Sequence, residues 1–189
     1  MRIVTHALSI LILVMIAGCT GLQSTTFLHD GYNFEYIEKV AVIPFENNSK
    51  DQGAGARSTR FFVTELLAAE AFDVIEPGEV LRVLSEHGLI RTADLTNEQI
   101  LSIGSELGVQ ALFLGAVGES STQRSGTSSI NTVTLTTRLV ETETGATVWS
   151  ATHSESGSGF WSSLFGTRQK SRSEVTRLCV SKSIRTLIN

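Results

Sequence analysis

Two cysteines and four histidines are the residues of this 189-residue chain best suited to covalent or metal chemistry, and their spacing limits what they can do. Cys19 and Cys179 lie near opposite ends, and His6, His29, His87 and His153 fall in separate segments. No group of them supplies the four Cys/His ligands of a structural zinc site. Serine is abundant, yet no Gly-x-Ser-x-Gly elbow occurs, and Gly53-Ala54-Gly55 lacks the Gly-Lys-Ser/Thr that would follow in a phosphate cradle. Glu119, Glu141 and Glu143 fall at predicted strand ends or turns, and His87 falls late in a predicted helix, where it reads as a surface or C-terminal-turn residue. The expectation is a protein that is not an enzyme, with no catalytic residues, no cofactor and no metal. A net charge of −4 also argues against nucleic-acid binding, which needs clustered Lys and Arg.

Cys19 differs from Cys179 because of what precedes it. Arg2 is a short positive region, Ala7 to Ile16 is a run of ten with only Ser9 polar, and Ala17 and Gly18 are small. This is the anatomy of a secretory signal, and the run has only half of the about 20 apolar residues a spanning helix needs. Ile16-Ala17-Gly18-Cys19 resembles the lipobox of bacterial lipoproteins. That resemblance implies cleavage before Cys19 and a diacylglycerol cysteine carrying an amide-linked acyl chain such as palmitate, a three-chain anchor that is effectively permanent. Loss of residues 1–18 leaves 14 cationic against 19 anionic residues, a charge of −5. Thr20 stands where an aspartate would favour inner-membrane retention in such lipoproteins, which implies the outer membrane, with the protein facing the periplasm. Cys179 is then a lone thiol on a predicted helix, read as a small buried hydrophobe.

The remaining sequence divides into a tether over 19–33, without sustained periodicity, and one domain over 34–189. Lys39-Val-Ala-Val-Ile-Pro-Phe45 predicts a strand buried on both faces and ended by Pro44. The Asn47 to Gly55 region reads as a loop. Helical spacing of Phe62 and Leu66, beside Val63 and Leu67, predicts a helix over about 56–71, followed by a short strand at 72–75. Pro77 opens a second helix carrying Val80, Leu81 and Leu84, Gly88 ends it, and Thr96 with Gln99 marks a capping box for a third. Strands follow at 110–118, 131–140 (alternating, with one wet face) and 146–152, then a helix over about 173–187. The order β-α-β-α-α-β-β-β-α predicts an α/β fold, a mixed sheet flanked by helices.

Four segments in this order, VAVIPFEN from Val40, FDVIEPGEVLRVLSE from Phe72, LGVQALFLGAVGE from Leu107 and TTRLVETETGATVWS from Thr136, resemble the CsgG-like superfamily of outer-membrane lipoproteins, which includes the curli secretion channel CsgG and the penicillin-binding-protein activator LpoB. The resemblance implies a CsgG-like domain, an envelope protein as partner, and homo-oligomers in the branch that builds channels. In that branch two strand connections form long membrane hairpins. Here Glu119 to Ile130 has 12 residues, too short and polar for two membrane strands of about 9–11 residues each unless the flanking strands extend into it. The second connection, Ser154 to Gln169, carries Phe160, Trp161, Leu164 and Phe165 among glycines and serines. One helical turn would set these side by side, as a lid over the sheet, a partner-binding cluster or a group at the bilayer interface. The expected function is a non-catalytic accessory or partner-binding lipoprotein in envelope assembly or secretion, the alternative being a secretion-channel subunit.

Overall fold

In a computed structural model, which describes residues 24–89, 95–125, 128–157 and 169–188, seven strands form one mixed sheet: β1 (Thr25–Leu28), β2 (Lys39–Val42), β3 (Glu46–Asn47), β4 (Asp73–Val74), β5 (Ala111–Ser125), β6 (Ser128–Glu141) and β7 (Thr147–Ser156). The spatial order is β1-β7-β6-β5-β2-β4, with β3 also paired to β5. Strands β2, β3 and β4 run parallel to their neighbours, while β5, β6, β7 and β1 pair antiparallel. Pairing with β5 lapses after Ile43, whose amide still donates to the Phe113 carbonyl, because the next amide on that side, Phe45, donates to Thr59 Oγ1 at 2.8 Å; it resumes at Glu46 against the same β5.

Among the described residues four helices flank the sheet: α1 (Ala54–Ala69), α2 (Pro77–Glu86), α3 (Asn97–Leu107) and α4 (Arg172–Ile188). Alternation along β2 sorts the core. Val40 and Val42 join Phe62 and Leu66 of α1 and Val175, Cys179 and Ile184 of α4 on one face; Ala41 and Ile43 join Val80, Val83 and Leu84 of α2 and Ile100 and Ile103 of α3 on the other. Edge-to-face rings from Phe45 through Phe62 and Phe113 to Trp149, with centroids 5.1, 5.0 and 6.2 Å apart, bind the first face together. The Thr96 capping box forms as its spacing predicts, with Thr96 Oγ1 accepting from the Gln99 amide at 3.3 Å and Gln99 Oε1 accepting from the Thr96 amide at 2.9 Å.

Helices α2 and α3 cover only the β2–β5 side of their face. The wet alternation predicted for β6 therefore faces out, with Thr134 bonded to Ser154 at 2.7 Å and Thr136 to Thr152 at 3.1 Å.

The predicted element order holds, with differences that have local causes. Thr25–Leu28, expected within the tether, is an edge strand; four residues carry no readable period, and their order comes from β7. The connection over 119–130 is not a loop: β5 and β6 extend through it until Ser125 pairs with Ser128. Its Ser/Thr composition hides it, because a hydrated strand needs no apolar alternation. Gly55 belongs to α1, where a Cβ would lie 2.5 Å from the Phe45 carbonyl oxygen, so it marks close packing, while Gly53 stays in the turn before the helix. Leu67 and Leu81 are exposed, and Val83 takes the core position expected for Leu81.

Gly104 lets α3 rest directly on the end of β6, since a Cβ there would meet Thr142 Cγ2 at 2.3 Å. Gly104→Ala is expected to destabilise the fold by about 1–3 kcal/mol in urea unfolding, despite alanine's better helix propensity. A neutral or stabilising result would show that this contact is slack.

Candidate interaction site

Neither the α1/α4 layer nor the α2/α3 layer follows β5 and β6 to their tips, so the two strands leave the core as a ribbon whose base must be held by other means. A bulge prepares it. Val117 pairs with Leu135, but Glu119 pairs with Thr134 and Ser120 with Val133, so the extra residue, Gly118, turns Ser120 toward the α1/α4 side. There Ser120 Oγ donates to Asp51 Oδ2 at 2.9 Å. The same carboxylate oxygen receives Arg57 Nη2 at 2.5 Å and lies 3.2 Å from Arg172 Nη1. Arg172 Nη2 donates to Thr122 Oγ1 at 2.7 Å, Thr122 Oγ1 donates to Asn131 Oδ1 at 2.7 Å, and Arg57 Nε donates to Thr176 Oγ1 at 3.3 Å. One carboxylate thus joins the loop before α1, α1 itself, the start of α4 and β5, and β6 follows through the Thr122–Asn131 bond.

Only 13% of the Asp51 side chain is exposed. Burial alone would raise its pKa, but hydrogen bonds from Arg57 and Ser120 and the charges of Arg57 and Arg172 outweigh it and hold the carboxyl at about 2.

The ends of the second connection are pinned to the same base. The Gly157 amide donates to the Asn131 carbonyl at 2.7 Å, Asn131 Nδ2 donates to the Lys170 carbonyl at 2.9 Å, and the Ser129 amide donates to Gln169 Oε1 at 2.9 Å. Phe160, Trp161, Leu164 and Phe165 lie outside the described residues, as does Cys19. Their segment nonetheless leaves and rejoins the domain beside Asn131, so the two connections that the sequence treats separately share one end of the sheet. Past the base, the ribbon sequence from Ser121 to Arg124 and from Ser129 to Thr132 has Ile130 as its single apolar residue. Neither ribbon face offers the every-second apolar residue that lipid requires.

The other groups with reactive potential are occupied or muted. Cys179 is fully buried, its Sγ 3.2 Å from the His153 carbonyl oxygen, and burial pushes its thiol up to about 12. Burial also lowers the pKa of His153. Such a thiol stays protonated and is a poor nucleophile. His87 caps α2 and bonds Glu106 Oε2 at 2.9 Å through Nε2. Glu119 accepts from Ser121 Oγ at 2.7 Å, Glu141 from Thr144 and Glu143 from the Tyr36 hydroxyl, three separate turn or strand-end contacts.

At the opposite end of the sheet lies an open concavity of about 840 Å³, floored by Phe34, Ile37, Phe72 and Leu187 and rimmed by Glu35, Glu38, Glu70 and Asp73. The C-terminal ends of α1 and α4 border it and add their partial negative charge. The four carboxylates disfavour contact with anionic surfaces, against the single cation Arg185 in the last turn of α4. Sequence reading missed it because its acids come from two segments, 35–38 and 70–73, that only the fold brings together.

Residues 37–189 match the family described as curli production assembly/transport component CsgG. The chain belongs to the CsgG family. Solved structures with the same fold include the PelC dodecamer from Paraburkholderia phytofirmans (19% identity, 85% of this chain and 94% of that chain, TM-score 0.57) and lipoprotein GNA1162 from Neisseria meningitidis (21%, 79% and 97%, 0.60). The LpoB C-terminal domain from Salmonella enterica is a further example (16%, 67% and 86%, 0.51). No curated protein matches the chain by sequence. In this CsgG-family chain, the fold places the two connections on which the expectation of a channel or an accessory protein turned at a single polar end.

Because Asp51 titrates below its ordinary 3.8, its contribution to stability is complete above that value and is lost as the pH falls toward about 2. Asp51→Asn is expected to lower the unfolding free energy at neutral pH by about 1–3 kcal/mol, because Arg57 and Arg172 lose their shared acceptor. The gap between wild type and variant should begin to narrow below about pH 4 and close as the pH approaches 2. A gap that stays constant with pH would contradict the ionic clamp.

Proposed function

We propose that this chain is a lipid-anchored outer-membrane protein facing the periplasm, acting without catalysis as an accessory that binds an envelope protein during assembly or secretion. The observation that carries the reading is the polar ribbon: a CsgG-family domain whose β5–β6 extension is fixed to the body by Asp51 and presents no lipid-compatible face. The Ile16-Ala17-Gly18-Cys19 motif supports the anchor, with Cys19 the lipidated residue and residues 1–18 removed. Oligomers are part of the proposal, because PelC of the same fold crystallises as a dodecamer.

The anchor is tested by globomycin, which should accumulate uncleaved precursor, and by Cys19→Ala, which should move the protein from the membrane to the soluble fraction. A variant that stays membrane-bound would refute lipidation.

The partner surface is assigned to the ribbon base and to the Phe160, Trp161, Leu164 and Phe165 segment anchored there. Phe160→Ser with Trp161→Ser should leave the unfolding midpoint unchanged and reduce recovery of a crosslinked envelope partner by about tenfold, the scale of one aromatic anchor. Loss of several kcal/mol of stability would instead identify the segment as a lid over the sheet. The channel alternative predicts conductance of the acylated protein in planar bilayers. The accessory reading predicts none.

A further inference from the structure

The lipid anchor and edge strand β1 are close in sequence, and that closeness fixes how the domain can sit on a membrane. Cys19 precedes Thr25 by six residues, so the tether reaches at most about 20 Å. Thr25 pairs with Thr152, which pairs with Thr136, and β1 runs so that the chain before Thr25 points toward the ribbon. From the level of Thr136 the ribbon continues eight residues to Ser128, about 26 Å at strand rise. A domain standing ribbon-first on the bilayer would therefore push the ribbon tip about 5 Å past the anchored Cys19 and through the headgroup layer toward the hydrocarbon. A domain standing on its other end would press the acidic rim of Glu35, Glu38, Glu70 and Asp73 against the headgroups.

The remaining contact is the β1 edge. It lies beyond both helix layers, and every residue of it is exposed. Phe27 shares a face with Ser150 and Arg138, and Leu28 lies on the opposite face with Trp149. They are 49% and 48% exposed, so an edge strand carries a large apolar side chain on each face, within nine residues of Cys19. Exposed apolar edges are aggregation liabilities unless covered, and aromatic side chains favour the bilayer interface. Edge-to-face contacts of His29 with Phe27 and with Tyr32, and of Tyr32 with Phe34, at 6.5, 6.3 and 5.0 Å, stiffen the segment that carries them.

We infer that the domain lies edge-down, with β1 on the phospholipid surface and Phe27 and Leu28 entering its interface, so that the ribbon projects along the membrane rather than into it. The inference rests on lipidation at Cys19, as proposed above. The short tether holds this weak apolar contact at high local concentration, so two modest residues suffice.

The test uses the full-length protein, matured in cells and reconstituted into phosphatidylethanolamine/phosphatidylglycerol vesicles, carrying Phe27→Cys, Leu101→Cys on α3 or Gln123→Cys on the ribbon. A polarity-sensitive fluorophore is attached to the introduced thiol; Cys179 is buried and does not compete. Lipid nitroxides near the headgroup should quench the label at residue 27 about threefold more than at residues 101 or 123, as expected for a side chain several ångströms inside the interface. Equal quenching at all three positions, greatest quenching at 123, or self-quenching at 27 from a second copy would each overturn the inference. Mass spectrometry of the N-terminal peptide separates the two failures. An acylated peptide with equal quenching sinks only the edge-down placement, whereas a non-acylated peptide sinks the anchor and this inference with it.

Discussion

A single carboxylate, that of Asp51, settles the geometry on which the functional reading depends. The ribbon of β5 and β6 leaves the region where apolar packing can guide it, and at its base Arg57 and Arg172 from two different helices converge with Ser120 on Asp51. A hairpin without a core is marginal in water, so its direction has to come from such a junction. The bulge at Gly118 makes this possible: without the change of face, Ser120 would point away from the helices and Glu119 toward them. The ionic cluster and the bulge are therefore one device.

Much of the fold is readable because it follows from burial on two faces. The unbroken apolar run from Val40 to Ile43 requires helices above and below, and Phe62, Leu66, Val80 and Ile103 supply them at helical spacing. The capping box at Thr96 and the left-handed Gly88 that ends α2 are likewise visible in residue type alone. The ribbon and β1 are harder to read for a common physical reason. Their pairing is specified by strands distant in sequence and their side chains remain wet, so no hydrophobic period marks them. The Asp51 clamp was invisible because Asp51, Ser120 and Arg172 meet only through the bulge register.

The candidate site divides in the same way. Phe160 and Trp161 attract notice in the sequence by type, and the described structure adds what type could not: the two ends of their segment are bonded to Asn131 at the ribbon base. Likeness to PelC, GNA1162 and LpoB fixes the fold and leaves function to the surfaces, since one fold serves several tasks. Here those surfaces are a polar ribbon, with the ends of the second connection held at its base, and an acid-rimmed concavity at the other end of the sheet.

The central claim is that the ribbon is a hydrated arm and not part of a membrane wall. The most direct measurement places a cysteine at Gln123, an exposed ribbon position, in the acylated protein and compares its reaction with a membrane-impermeant thiol reagent in detergent-free vesicles and in solution. With the reagent supplied on the side bearing the domain, equal rates are predicted. Protection in vesicles, relieved when the membrane is dissolved, would place the ribbon in lipid and contradict the account.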